Sequence, residues 1–327
     1  MLRRNAPMLL SRGPMEPIFN VVLPVFGIIA AGYISGRRGL LGDASSEALN
    51  RFVYWVALPV LLFKAMATVD VENVVRFDFL AGFMLSLAVV WAAAMLLAKL
   101  AFGRGLAEAT MHGMNTVYGN AGYMGIPLAL ATYGAEAVFP AIFITVIYTA
   151  LIVGVAIIMI EIGAGKADGL GPVLRKVFTA LIRNPMLIAP VLGLAWAASG
   201  IPLPVPVETF SSILGAAAGP CALFAIGLFL VGKPLREGLG EVTVMTVVKL
   251  AVQPLVTAVF MFWLFPVDPL WGKVAVLMAT LPTGAGSFVL SLSYGLYVQR
   301  TSSVILISTI ASVATISVFY AIFPPTV

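Results

Sequence analysis

Two stretches concentrate the polar and helix-breaking residues of an otherwise apolar chain. The first, Val117–Gly134, reads VYGNAGYMGIPLALATYG, and the second, Thr280–Gly295, reads TLPTGAGSFVLSLSYG. In the first, Pro127 lacks an N–H, and its ring crowds the carbonyl four residues back, at Tyr123. Gly119, Gly122 and Gly125 ease the departure from helical geometry and admit another backbone at close range. Asn120 then presents amide donors and a carbonyl acceptor at the break. A helix resuming after such a break exposes N–H groups and the positive end of its dipole, which favours an anion such as a carboxylate. In the second stretch Pro282, Gly284 and Gly286 supply the weakness, and Thr283 and Ser287 supply short hydroxyls.

The remaining candidates are isolated polar residues inside apolar runs. Lys249 lies about eight residues, roughly 12 Å, into such a run, and Gln253 shares its face one turn on. Lys249 either attracts an anion, stands as a fixed cation in the place of a coupling ion, or snorkels to the interface on its long stem. Asn115 either lines the approach to Asn120 or bonds a neighbouring helix. His112, the single histidine, is the weaker candidate, for a part in proton coupling. Lys64 and Glu161 read as interfacial. The candidate substrate-binding set is thus Asn115, Asn120, Gly122, Pro127, Lys249, Gln253, Pro282, Thr283, Gly286 and Ser287, with no cofactor and no metal site expected.

These residues need long apolar helices to hold them. The 327 residues are 61% hydrophobic and 10% charged, too few charges to cover a water-soluble domain, so the chain reads as a polytopic membrane protein. Its formal charge of +5 sits in short gaps between apolar segments, a membrane orientation signal and not a nucleic-acid surface. Cys221 is the single cysteine, so no intrachain disulfide forms. The opening MLRRNAPMLLSRGP lacks the apolar core of a cleaved signal; residues 1–16 read as an extension, with Met15 an alternative start.

A spanning helix takes roughly 20 apolar residues. That predicts ten, at about 17–36, 47–68, 79–102, 108–133, 136–161, 184–199, 206–231, 241–265, 270–297 and 301–323. All are too long for membrane-barrel strands of roughly 10 residues, so the fold class is all-α. A gapless shift of 161 positions places Pro24 on Pro185, Gly32 on Gly193 and Gly39 on Gly200. It also places Pro59, Leu62 and Phe63 on Pro220, Leu223 and Phe224, Gly125 on Gly286, and Tyr133-Gly134 on Tyr294-Gly295. The expected organisation is a five-helix repeat at 17–161, a loop at 162–183 and a second repeat at 184–327. Five spans being odd, the second half enters from the opposite side, giving a 5+5 inverted repeat whose helices 4 and 9 break and cross.

Charge orients it. Arg37, Arg38, Lys99, Arg104, Lys166, Arg175, Lys176, Arg183, Lys233, Arg236 and Arg300 lie on one side, against Arg3, Arg4, Arg12, Arg76 and Lys273 on the other. This puts the 162–183 loop in the cytoplasm and both termini outside, in a cell (inner) membrane. The three N-terminal arginines count against it.

NAGYMGIPLALATYG resembles the fourth-helix motif of the auxin efflux carrier family, in which an asparagine precedes MGIPL. LNRFVYWVALPVLLFKAMA is similar to that family's second helix and LPTGAGSFVLSLSYG to its ninth, and the likeness runs from Met15 through nearly all the chain. The resemblance implies a ten-helix inverted repeat related to the bile-acid symporters. Helices 1, 2, 6 and 7 would form a dimeric scaffold, and helices 3–5 and 8–10 a moving transport domain. It also implies substrates such as auxin, malate or malonate. Asn120 matches the crossover asparagine that faces the substrate carboxylate, Pro127 the crossover proline, and Pro282 the proline opening the ninth-helix motif. Two departures stand out: Gly286 where many bacterial relatives carry asparagine, and Ser287 where plant carriers have a second proline.

The expected function is a secondary carrier of small organic anions, working by elevator-type alternating access as a homodimer through its scaffold helices. The alternatives are a passive anion channel or a sodium-coupled symporter of larger organic acids. Coupling to protons, to sodium or to nothing stays open, because no acidic residue lies near either break. An intramembrane enzyme is disfavoured: there is no HExxH, no paired intramembrane aspartates and no Ser–His pair. GNAGYMG follows no strand and is not a phosphate loop.

Overall fold

The computed structural model describes residues 21–69, 76–165, 169–232, 238–265 and 267–325. The 1–16 extension, the start of the first expected span, and Arg3, Arg4, Arg12, Lys166, Lys233 and Arg236 lie outside the described residues. In chain order the helices are α1 (Leu23–Arg37), α2 (Asp43–Ala67), α3 (Phe77–Phe102), α4 (Leu106–Val117), α5 (Ile126–Tyr133), α6 (Ala135–Gly163) and α7 (Leu170–Ile182). They continue as α8 (Pro185–Ala198), α9 (Val205–Phe229), α10 (Leu239–Leu264), α11 (Pro269–Thr280), α12 (Ala285–Tyr294) and α13 (Val298–Ile322). No strand occurs among the described residues, and β pairing is limited to one isolated bridge.

Among the described residues six helices, α2, α3, α6, α9, α10 and α13, are long and apolar enough to cross a membrane. A seventh is added if α7 and α8, which meet at 64°, count as one bent span. The expected segments 108–133 and 270–297 are each divided in two, as α4 with α5 and α11 with α12. Local chemistry sets several of these ends. Asn184 accepts from the Met186 N–H at 2.9 Å, and Asp268 from Leu270 at 2.9 Å and Trp271 at 3.3 Å. A proline follows each cap, at the first helical position, where its missing N–H has no partner to lose. Gly103 and Gly295, both at positive φ, close α3 and α12.

The segment expected as a loop at 162–183 is largely helical, as α7. Its glycines and basic residues suggested a link, but a helical period wins. Val173 is buried and Val177 packs on Gly154, while Leu174, Phe178 and Ile182 form an exposed stripe. Glu161 is 6% exposed, paired with the exposed Lys176, and accepts from the Tyr294 hydroxyl at 2.7 Å. Lys64 donates to Ser212 at 2.6 Å, bridging α2 to α9.

Small residues bring the long helices together. A Cβ at Gly32 of α1 would strike the Phe224 carbonyl of α9, and one at Gly193 of α8 would strike the Phe63 carbonyl of α2. The Gly32/Gly36 motif therefore serves contact with α9 inside this chain. In the other such motif, Gly215 faces Leu61 of α2, and a Cβ at Gly219 would lie 3.2 Å from the Pro127 ring. Because the opposing atoms at Gly32 and Gly193 are backbone, no side-chain rotation relieves a substitution there. Gly32→Val and Gly193→Val are each expected to cost about 1–3 kcal/mol, read as a lowered thermal unfolding midpoint of the purified protein.

Candidate functional site

The two divided helices meet at their breaks. After Val117 the chain leaves helical geometry through Tyr118, Gly119 and Asn120; after Thr280 it runs extended through Leu281 to Gly284. Gly119 and Thr283 pair in the isolated antiparallel bridge. The Asn120 N–H donates to the Pro282 carbonyl and the Gly284 N–H to the Tyr118 carbonyl, each at 2.9 Å. Each break thus supplies the acceptor that the other lacks, which is what backbone outside helices needs away from water. The contact demands glycine on both sides: a Cβ at Gly284 would lie 2.8 Å from the Gly119 carbonyl, and one at Gly119 3.0 Å from that of Met278.

The first break falls ahead of Pro127, not at it. A π turn over Ala121–Gly125 follows Asn120, with Gly125 N–H bonded to the Asn120 carbonyl at 3.1 Å and Ile126 N–H to that of Ala121. Pro127 then sits in the first turn of α5, where its ring is tolerated, and packs on Gly219. Gly122 faces Met186 of α8, so neither residue is itself at the bridge.

The polar side chains fall into two groups. Those before and beneath the breaks are engaged with protein. Asn115, fully buried, donates to Thr301 Oγ1 at 2.9 Å, the interhelical bond that was one of its two sequence readings, although its Oδ1 has no partner. Thr283 donates through Oγ1 to the Asn115 carbonyl at 2.7 Å and through its own N–H to the Ser308 hydroxyl oxygen at 3.1 Å. Lys249 and Gln253 are also fully buried, so Lys249 does not snorkel. Its Nζ donates to Gln253 Oε1 at 2.6 Å and to the Ala279 carbonyl at 2.7 Å.

Those after the breaks are different. Asn120, 8% exposed, has no side-chain hydrogen bond among the described residues, and the fully buried Ser287 hydroxyl has none either. Both stand where a helical run restarts, Asn120 before the π turn and Ser287 in the first turn of α12. The first N–H groups of such a run have no intrahelical acceptor, so amide, hydroxyl and backbone donors converge on positive dipole ends.

Tyr118 was not picked out from the sequence, though it stands inside the quoted motif. A Cβ at Gly286 would come within 2.6 Å of the Tyr118 hydroxyl. The volume that a side chain at position 286 would fill is therefore occupied by this phenol, which gives the departure at Gly286 a physical reason. The Tyr118 ring also packs on Tyr148, whose hydroxyl accepts from Gln253 Nε2 at 3.2 Å.

A second polar cluster lies away from the breaks, at Glu241, which is 3% exposed. Arg104 Nη2 donates to it at 2.8 Å, Arg300 Nε lies 3.1 Å away, and the Tyr297 hydroxyl is bonded to it. His112 Nδ1 is 3.2 Å from Glu241, a carboxylate 129 residues away in the chain. Tyr297 is the one non-glycine residue at positive φ among the described residues. Burial, and then its bond to Glu241, hold its phenol above the ordinary range. An acid at the start of an apolar run was the only sequence signal for this cluster.

Apolar helices and a crossed pair of breaks with unengaged polar groups define the class, an integral membrane transporter. The family described as membrane transport protein matches residues 17–320, and the chain belongs to that family, which takes in the auxin efflux carriers. The chain is 34% identical over 306 residues to a protein of Rhizobium meliloti (strain 1021) named "Putative malonate transporter", covering 93% of this chain and 95% of the relative. It is 25% identical over 352 residues to auxin efflux carrier component 5 of Arabidopsis thaliana, covering 96% and 98%. An uncharacterized transporter of Methanothermobacter thermautotrophicus is 26% identical over 306 residues, covering 91% and 95%. The chain is a transporter and not an enzyme.

Two substitutions test the packing. Gly286→Ala meets Tyr118 and is expected to lose about 1–3 kcal/mol, most of it recovered in the Tyr118→Ala/Gly286→Ala pair, as read by thermal unfolding. Glu241→Leu strands Arg104 and Arg300 beside a buried site. It is expected to cost about 3 kcal/mol, the low end for a broken buried pair because both arginines keep some solvent, read the same way.

Proposed function

We propose that this chain is a secondary carrier of small organic anions, carboxylates of the malonate, malate or auxin-like class, working by alternating access at the crossed breaks. The observation that carries the reading is that Asn120 and Ser287, at the starts of both post-break helical runs, lack side-chain protein partners while groups before the breaks are engaged. Amide and hydroxyl donors beside positive helix ends suit a carboxylate. The name of the Rhizobium relative agrees with that substrate class.

A ten-helix inverted repeat frames the mechanism, and the helix ends support it. Moved by 161, Leu23–Arg37 falls on 184–198 against the observed Pro185–Ala198, and Phe77–Phe102 on 238–263 against Leu239–Leu264. Gly32 and Gly193 are partners under that shift, as are Phe63 and Phe224; Gly32 meets Phe224 while Gly193 meets Phe63. Reciprocal contacts of this kind are what a two-fold relation between halves produces.

In this reading α1, α2, α8 and α9 are the scaffold and the crossed helices with α3, α6, α10 and α13 the moving part. Long-range bonds from side chain to side chain respect that division. Lys64–Ser212 and Tyr54–Asn184 lie in the first set, and Asn115–Thr301, Gln253–Tyr148 and Thr132–Tyr320 in the second. Contacts between the sets include Gly122 on Met186 and Pro127 on Gly219, with Tyr123 reaching the Asn50 carbonyl at 3.4 Å. An apolar seam with few directional bonds suits elevator motion. The proposed carrier is a homodimer through its scaffold, in the cell (inner) membrane, with both termini outside the cytoplasm.

The test is uptake into proteoliposomes across mono-, di- and aromatic carboxylates, wild type beside Asn120→Ala. Saturable uptake of one class is expected, reduced about 10- to 100-fold in the variant, the range set by 1.5–3 kcal/mol for a hydrogen bond to a charged group. Flux that never saturates would make the chain a channel, and unchanged saturable uptake in Asn120→Ala would move the site elsewhere.

A further inference from the structure

Lys249 lies in a π turn over Val248–Val252 of α10, and no part of it reaches solvent. Its Nζ is held by Gln253 Oε1 and the Ala279 carbonyl, and no carboxylate pairs with it among the described residues. Gln253 turns its other end to the Val117 carbonyl, at 3.0 Å. Val117 closes α4, and Ala279 lies in the last turn of α11. The lysine and its glutamine therefore cover the C-terminal ends of both pre-break helices.

Those ends carry the negative pole of each helix dipole and carbonyls without intrahelical partners. Half-helix C-terminal carbonyls beside a side-chain oxygen are the hard donor set that cation-coupled carriers offer to a mobile ion. Here the amino group of the chain's own Lys249 is already among them. Its burial as a cation without a carboxylate is strongly unfavourable unless something offsets it, and the two helix ends are the offset on hand.

We propose that the Lys249 ammonium is a resident cation of the crossover, occupying the oxygen set of Gln253 Oε1 and the Ala279 carbonyl, so that anion movement by this chain does not require sodium. The proposal rests on the carrier reading. Lys249 is in it a positioning residue: it and Gln253 hold the two helix ends from which the bridge, and with it Asn120, extends.

The experiment compares wild type, Lys249→Ala and Lys249→Met, as full chains, in choline, sodium and methylammonium chloride at equal ionic strength. Thermal unfolding is read in detergent and initial carboxylate uptake in proteoliposomes. Wild type is expected to give the same midpoint and, within about twofold, the same uptake in sodium and choline. Lys249→Ala is expected to be at least about tenfold slower in choline, with midpoint and uptake both raised by methylammonium or sodium. Lys249→Met, filling the volume without charge, is expected to stay slow in every salt.

Sodium-dependent uptake by wild type overturns the proposal, as does wild-type uptake by Lys249→Met, or a Lys249→Ala protein indifferent to every cation. A Lys249→Ala protein that folds only with methylammonium counts as the same rescue, and one that folds in no salt counts against it. The midpoint needs no substrate. A chain that moves no carboxylate would thus overturn the carrier reading and leave the cation response to be judged separately.

Discussion

A broken helix within an apolar bundle leaves backbone donors and acceptors that water does not reach, and each unsatisfied group costs several kcal/mol in hydrocarbon. Here two breaks resolve that cost on each other, through the Asn120–Pro282 and Gly284–Tyr118 backbone bonds. Neither break is affordable alone. This mutual dependence explains why glycine stands at both 119 and 284, where the chains must approach to within a carbonyl's reach. It also fixes the position of Asn120, whose own N–H is one of the two ties.

The crossing then sorts polarity by helix end. Pre-break C-termini are covered by Lys249 and Gln253, and Asn115 and Thr283 are tied to each other and to α13. Post-break starts keep an amide and a hydroxyl without protein partners. In the proposed carrier, positive helix ends beside these unengaged donors are what select a carboxylate.

A different economy governs the helices around the crossing. Glycine-to-carbonyl contacts at Gly32 and Gly193 hold α1 to α9 and α8 to α2, backbone against backbone. Where α5 meets α9 the contact is a proline ring on a glycine. Lipid supplies no hydrophobic drive between helices, so close packing of small residues is the available adhesive. The charged knot at Glu241 supplies strength of another kind, joining α4, α10 and α13 where Arg104 and Arg300 keep partial contact with solvent.

Much of this was written in residue order. Apolar run length determined the helices, because hydrocarbon permits little else, and the proline and glycine register is the sequence basis of the proposed 161-residue repeat. The asparagine at the first break was legible because amide, glycines and proline lie within a few residues of one another. What lay outside the sequence were pairings across more than a hundred residues: Glu241 with His112, Lys249 and Gln253 with two helix ends, and Tyr118 filling the space over Gly286. Pro127 pointed to the right segment but the wrong residue, since a π turn lets its ring follow the break and not cause it. The amphipathic period of α7 was overlooked beneath its glycines and charges. Local composition determines which segments are helical and where they weaken; which carbonyl a buried lysine reaches is decided only when distant helices pack, because a hydrogen bond acts over about 3 Å and carries no trace along the chain.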